Sequence, residues 1–233
     1  IDPPIKTPDD LEKLRLPSHE IDDEATRERA DRLREAIGDI LPVHVNRGPI
    51  SGLFGSITMP LGYLLGIEGL FWWMMDYPEA LHRLSAFLRD GTLKCQREAE
   101  EAGHITLADQ TNQAMAYAEE LEDPASNVNG VTRDRLWGYM AAQEFTAVSP
   151  AMHEEFLLEY QLPILELFGL TAYGCCEDLT NKIGMLRRIP NLRRIAVTPF
   201  ADAARCAEQI GSDYVFSYRP SPADMVGYGW DED

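Results

Sequence analysis

The feature that most constrains how this chain can fold is an alternation that begins near residue 104. Short apolar runs recur at 104–108, 136–142, 170–173, 192–198 and 214–217, and segments of helical character separate the later ones. Ser149-Pro150 opens a helix reaching about residue 168, with Ser149 as N-cap, and residues 179–188 and 201–210 read as further helices. Strands separated by helices of this length predict right-handed βαβ units and a parallel sheet, so the fold class is α/β. A closed (β/α)8 TIM barrel needs eight strands and about 250 residues. The chain has 233 residues and offers about five or six strands. The sheet is therefore either open or part of a longer barrel.

The first hundred residues are mostly helical in pattern. Thr7-Pro8 with Asp9 and Asp10 marks a short helix start, and residues 22–40 predict an amphipathic helix with Ala30, Leu33, Ala36, Ile37 and Ile40 on one face. Residues 42–46 suit a short strand. Residues 59–75 read as an apolar helix interrupted near Gly66, in which Leu70-Phe71-Trp72-Trp73-Met74-Met75 suits the core better than a partner surface. Pro78 opens a long helix to about residue 102, with Gly103 ending it.

The charge balance excludes some partners. A formal net charge of −18 repels nucleic acid and anionic membranes. No apolar run is long enough to span a bilayer and no signal peptide is visible, so a cytoplasmic location is expected. The four cysteines are unevenly spaced and are expected to be reduced thiols. Oligomeric state is not legible, and self-association as a homodimer is compatible with the sequence.

In a parallel α/β fold the chemistry gathers just past the C-terminal ends of the strands. That rule selects Asp109, Gln110, Gln143, Glu144, the segment Tyr173-Gly174-Cys175-Cys176-Glu177, Asp202 and Arg219. Asp202 opens a helix and suits an N-cap. Asp109 suits a turn as readily as a site. Glu144 has no obvious capping duty. Arg187, Arg188, Arg193 and Arg194 flank Pro190 at a helix-to-strand junction, the face opposite the mouth, and read as structural. Cys175 and Cys176 admit three readings: metal ligands, reactive thiols, or packed small residues. Adjacent side chains on an extended backbone point to opposite sides, so both sulfurs can face one ligand only if the chain turns at Gly174. Cys95 and Cys206 fall on predicted helices and suit packing.

Several stretches together resemble the uroporphyrinogen decarboxylase superfamily. They are Gln143-Glu144-Phe145-Thr146-Ala147-Val148-Ser149-Pro150, Tyr160-Gln161-Leu162-Pro163, Tyr173-Gly174-Cys175-Cys176-Glu177, Arg188-Ile189-Pro190-Asn191-Leu192-Arg193-Arg194, Thr198-Pro199-Phe200-Ala201-Asp202 and Tyr218-Arg219-Pro220-Ser221-Pro222-Ala223. The match is similar to the branch near the corrinoid methyltransferases, best over residues 103–223 and looser before. The resemblance implies one barrel domain over 1–233, with a helical portion at 1–60 and some strands of the barrel missing from this stretch of chain.

Two activities follow from the resemblance. The methyltransferases use zinc to activate a thiol, which takes a methyl group from a methylated corrinoid protein. On that reading Cys175, Cys176 and Glu177 hold zinc, Glu144, Tyr173 and Glu177 are catalytic, and Asp109, Asp202 and Arg219 bind substrate. The family's His-x-Cys ligand pair maps here onto Tyr173-x-Cys175, and a further cysteine ligand lies beyond the matched residues. The decarboxylases instead remove carboxylates from a tetrapyrrole without metal, using arginines and an aspartate. A barrel that binds a corrinoid or tetrapyrrole without catalysis is a third expectation. The methyltransferase is the first of the three.

Overall fold

The computed structural model describes residues 2–50, 56–108 and 118–227. Its centre is a four-stranded sheet of β1 (Trp137–Met140), β2 (Leu170–Tyr173), β3 (Leu192–Val197) and β4 (Val215–Tyr218). All neighbours are parallel and the order is β1-β2-β3-β4. Each crossover returns to the next strand, so the order never reverses and the sheet has no switch point of the doubly wound kind. Among the described residues β1 and β4 are open edges.

Helices cover one face. The first crossover runs through α5 (Pro150–His153), a π-helical turn (Glu154–Leu158) and α6 (Glu159–Leu165). Ser149 caps it, its hydroxyl accepting from the Met152 amide at 3.3 Å. Pro163 stands inside α6, where it removes a backbone donor, and the wide π turn lies just ahead of it. α7 (Ile183–Leu186) and α8 (Ala203–Ile210) make the next two crossovers, and α9 (Pro222–Val226) follows β4. Met140, Tyr173, Ile195 and Val197 are buried in one core with Leu157, Ile164, Leu165, Ile183, Leu186, Cys206 and Ile210. The opposite face carries a second cluster of Trp137, Tyr139, Ala141, Leu170, Ala172 and Cys175.

The helical first half packs behind this unit. α1 is Asp23–Ile37, α2 Thr58–Leu65, α3 Ile67–Asp76 and α4 Pro78–Glu101, with Gly66 at φ +72° breaking α2 from α3. Past α4 the Gly103 amide donates to Glu100 O and the His104 amide to Ala99 O, and Gly103 takes φ +68°. That is the paired bonding of a glycine-terminated helix. Among the described residues no helix is long and apolar enough to cross a membrane.

Five local expectations need correction. Residues 104–108 do not join the parallel sheet. Thr106 instead makes an isolated antiparallel bridge to Asn129, flanked by bonds from Leu107 N to Val128 O and from Val131 N to Ile105 O. Residues 42–46 are not a strand, because the Asn127 side chain takes the backbone groups a ladder would use: it accepts from Val45 N and donates to Val43 O. The helix expected over 179–188 shrinks to α7. Asp178 accepts from both the amide and the hydroxyl of Thr180, the local side-chain bonding that competes with a helix. In α3, Leu70, Trp73 and Met74 are buried while Phe71, Trp72 and Met75 are not, as one face of a 3.6-residue period requires. Likewise on α1 only Ala30 of the expected apolar face is buried.

Candidate functional site

On the sheet face that no helix covers among the described residues, polar side chains gather toward the C-terminal strand ends and line a mouth. β1 contributes Tyr139, and the end of β2 contributes Gly174, Cys175 and Cys176. β3 contributes Arg194 and Ala196, and β4 contributes Ser217 and Arg219.

Arg194 reaches this face because of an irregularity. Thr171 pairs with Leu192, but the next residue, Ala172, pairs with Arg194. One extra residue, Arg193, is therefore inserted in β3. A bulge of this kind re-aims the side chains that follow it. Without it Ala172 would face Arg193, and Arg194 would turn toward the helices. Instead Arg193 ion-pairs outside with Glu120, and Arg194 lies 8% exposed, donating to Ser217 Oγ at 2.7 Å. Sequence reasoning places Arg194 with the structural arginines of the junction. Its signal was a charge set just ahead of Ile195-Ala196-Val197, inside an apolar strand.

Gly174 makes the second turn that matters. Its φ is +97°, and a Cβ there would stand 2.7 Å from Leu179 Cδ1 and 3.3 Å from Ala196 Cβ. The turn breaks the alternation of β2. Tyr173 points to the helices while Cys175 points to the mouth, although a period of two would put them on one face. Just past the turn, Cys175 Sγ lies 3.5 Å from Cys176 Sγ. Gly174→Ala is expected to cost about 2 kcal/mol through left-handed strain and the Leu179 contact. A urea denaturation curve checks it.

Around the thiols stand a cation, a neutral phenol and, bonded to the Cys175 amide, the Glu177 carboxylate. Arg219 is fixed by its amide, which donates to Val197 O at 2.9 Å. Its guanidinium donates to the Cys175 carbonyl at 3.2 Å and approaches Cys175 Sγ at 3.4 Å. Burial, then the charge of Arg219, pushes the Arg194 guanidinium below its ordinary value. The Tyr139 hydroxyl donates to Gly174 O at 3.2 Å, and burial, then Cys175, holds the phenol firmly protonated. The Cys176 thiol is pushed up by its hydrogen bond with Cys175 and by burial.

The other expected residues lie elsewhere. Glu177 is 1% exposed, and its carboxylate accepts from Ala142 N at 2.6 Å and Cys175 N at 2.8 Å. It fastens the loop after β2 to the end of β1. Lys182 Nζ, donating to Phe145 O at 2.6 Å, and Asp178 N, donating to Thr146 Oγ1 at 3.0 Å, fasten the same two loops. Glu144 packs beside Gly62 of α2, where one carboxylate oxygen is buried without a hydrogen-bond partner. Tyr173 is wholly buried and hydrogen-bonded to Gln161 and His153. Asp202 is the N-cap of α8, accepting from Arg205 N at 3.0 Å. Asp109 lies outside the described residues. The structure thus brings together Cys175, Cys176 and Arg219, and adds Tyr139 and Arg194.

A zinc centre does not fit this donor set. Cys175 and Cys176 supply two sulfurs, but both Glu177 oxygens are turned to backbone amides. A guanidinium stands beside Cys175 Sγ, where a divalent ion would meet like charge. Among the described residues no group of three His, Cys, Asp or Glu side chains is arranged to hold a metal ion.

No protein-family model matches the chain, and no curated protein matches it either. The functional reading therefore rests on the site's own chemistry and on the sequence resemblance.

Proposed function

We propose that the mouth binds a carboxylate-bearing substrate between Arg194 and Arg219, in an enzyme of the uroporphyrinogen decarboxylase kind. The observation that carries this is a pair of guanidinium groups close together, Arg219 just past the end of β4 and Arg194 within β3 and bonded to Ser217, in a chain of net charge −18. Arg194 is buried and Arg219 half-buried beside it, and two like charges held this close favour an anion that touches both. A carboxylate placed between them makes charge-assisted hydrogen bonds to both. The neutral Tyr139 phenol adds a donor without adding charge. This donor set suits the metal-free carboxy-lyase, in which the C–C bond to a substrate carboxylate breaks, carbon dioxide leaves, and the electron pair stays on the substrate until it takes a proton. On this reading the sheet is a segment of a closed barrel and the substrate class is a polycarboxylated tetrapyrrole.

A polycarboxylated porphyrin serves as probe, its methyl ester as control, and fluorescence quenching as readout. Arg219→Gln and Arg194→Gln are each expected to weaken binding about tenfold or more, the loss of one hydrogen bond to a charged group. Equal binding of acid and ester, or wild-type affinity in Arg219→Gln, would sink the reading. Carbon dioxide release from the reduced tetrapyrrole then separates an enzyme from a binding barrel.

The paired thiols favour a second reading, the zinc-dependent methyltransferase served by a corrinoid protein. It would gain its missing ligand outside the described residues. Plasma mass spectrometry decides it: near-stoichiometric zinc, lost in Cys175→Ala, would support methyl transfer, and a metal-free protein would remove it.

A further inference from the structure

Carboxylate binding leaves the two thiols of the mouth unused. We infer that Cys175 and Cys176 are a two-electron redox site that closes into a vicinal disulfide by exchange with a low-molecular-weight disulfide. The inference does not depend on what the mouth binds.

Three observations carry it. Neighbouring side chains on an extended backbone diverge, yet here the sulfurs are 3.5 Å apart. A disulfide is about 2.05 Å long, so closure asks for a shift of about 1.5 Å. Cys176 is exposed while Cys175 is buried beside it, so Cys176 is the sulfur that an incoming disulfide reaches first; its thiol is pushed up, so the exchange quickens as the pH rises. Third, none of the four cysteines is in a disulfide, and the other two, Cys95 and Cys206, sit on α4 and α8, away from the β2 loop.

The step balances. The Cys176 thiolate attacks one sulfur of oxidised glutathione, forming a mixed disulfide and releasing one glutathione thiolate. The Cys175 thiolate then displaces the second. The protein loses two protons and two electrons, and glutathione disulfide gains both to become two thiols. Consecutive Cα atoms lie about 3.8 Å apart, below the span disulfides usually bridge, so the bond is of the readily reduced, regulatory kind. The new ring contains the 175–176 peptide, and closing it turns the Cys175 carbonyl that Arg219 holds. Oxidation is thereby coupled to the position of the mouth's outer cation.

The test uses the full chain treated with oxidised glutathione and read by intact mass and peptide mapping. Expected is a species lighter by two hydrogens, with Cys175 and Cys176 both shielded from maleimide, Cys95 and Cys206 unchanged, and dithiothreitol restoring all of it. Cys175→Ser should instead hold one glutathione on Cys176, because the resolving thiol is gone. Cys176→Ser, at an exposed position, should show no loss of hydrogens, and it serves if Cys175→Ser does not fold. A wild-type protein that accumulates a lasting glutathione adduct, keeps both thiols open to maleimide, or links Cys175 or Cys176 to another cysteine overturns the inference.

Discussion

Replacing Glu177 with alanine is expected to lower the free energy of unfolding by about 4 kcal/mol. The side chain is 1% exposed and accepts two backbone hydrogen bonds, from Ala142 N at 2.6 Å and Cys175 N at 2.8 Å. Truncation strands both amides in the interior, and a hydrogen bond to a charged group contributes about 1.5–3 kcal/mol. It also removes the negative charge that offsets part of the burial cost of Lys182, whose ammonium is already held below its ordinary value by desolvation. For a chain of this size the midpoint should fall by about 10 °C. Glu177→Gln keeps the volume and one acceptor oxygen but turns an NH2 toward the second amide, so about half the loss is expected. Thermal and urea unfolding of both variants check the pair. A loss under about 1 kcal/mol for alanine would show that water replaces the carboxylate and that the loop is not fastened there.

That result bears on what a strand-end rule can read. The rule selects Glu177 because it follows the end of β2, but spacing does not show which way a carboxylate turns, and this one turns to two backbone amides. The alternation itself was legible because buried parallel strands are written as apolar runs, and 136–142, 170–173 and 192–198 each hold a strand of the sheet. The 104–108 run is likewise apolar and is buried at Ile105, Thr106 and Leu107, yet its partners lie only some twenty residues on, and it bridges antiparallel. Composition does not distinguish the two outcomes. The closure of a barrel is likewise not written in four strands.

Within the site, two backbone irregularities decided what pattern reading missed. An inserted residue in β3 moves Arg194 from the junction to the mouth. The positive φ of Gly174 sends Tyr173 and Cys175 to opposite faces, so the Tyr173-x-Cys175 pair does not converge on one ligand. A period of two carries no record of either event. Gly174 is the visible hint in the second case, since glycine before two cysteines permits the turn. In the first case the hint is weaker, a lone arginine bounded by Ile195 and Val197.

The stability of the wild-type protein should fall faster with acid than that of His153→Gln, and the gap between them should close by about 3 kcal/mol between about pH 6.5 and pH 4.5. His153 is fully buried on α5 and ends a directed chain of hydrogen bonds. Gln161 Nε2 donates to Ser56 O at 2.7 Å, so its oxygen faces Tyr173, whose hydroxyl donates to it at 2.8 Å. The phenol oxygen must then accept from His153 Nε2, 2.9 Å away, and the imidazole is the neutral Nε2–H tautomer. Its Nδ1 is buried without a partner, so a second proton there would have no acceptor. Burial, then the charge of Lys182, holds its pKa down to about 3. In the unfolded chain the imidazole takes its proton near pH 6.5. Between these values the unfolded state binds the extra proton and the folded state does not. Stability is therefore complete above about pH 6.5 and declines by about 1.4 kcal/mol for each pH unit below it. Glutamine can still donate to the phenol but cannot titrate, so its curve lacks this slope. Carboxylates titrate alike in both proteins and cancel in the difference. Urea unfolding at half-unit steps of pH supplies the curves, and parallel curves would mean that His153 takes its proton in the fold.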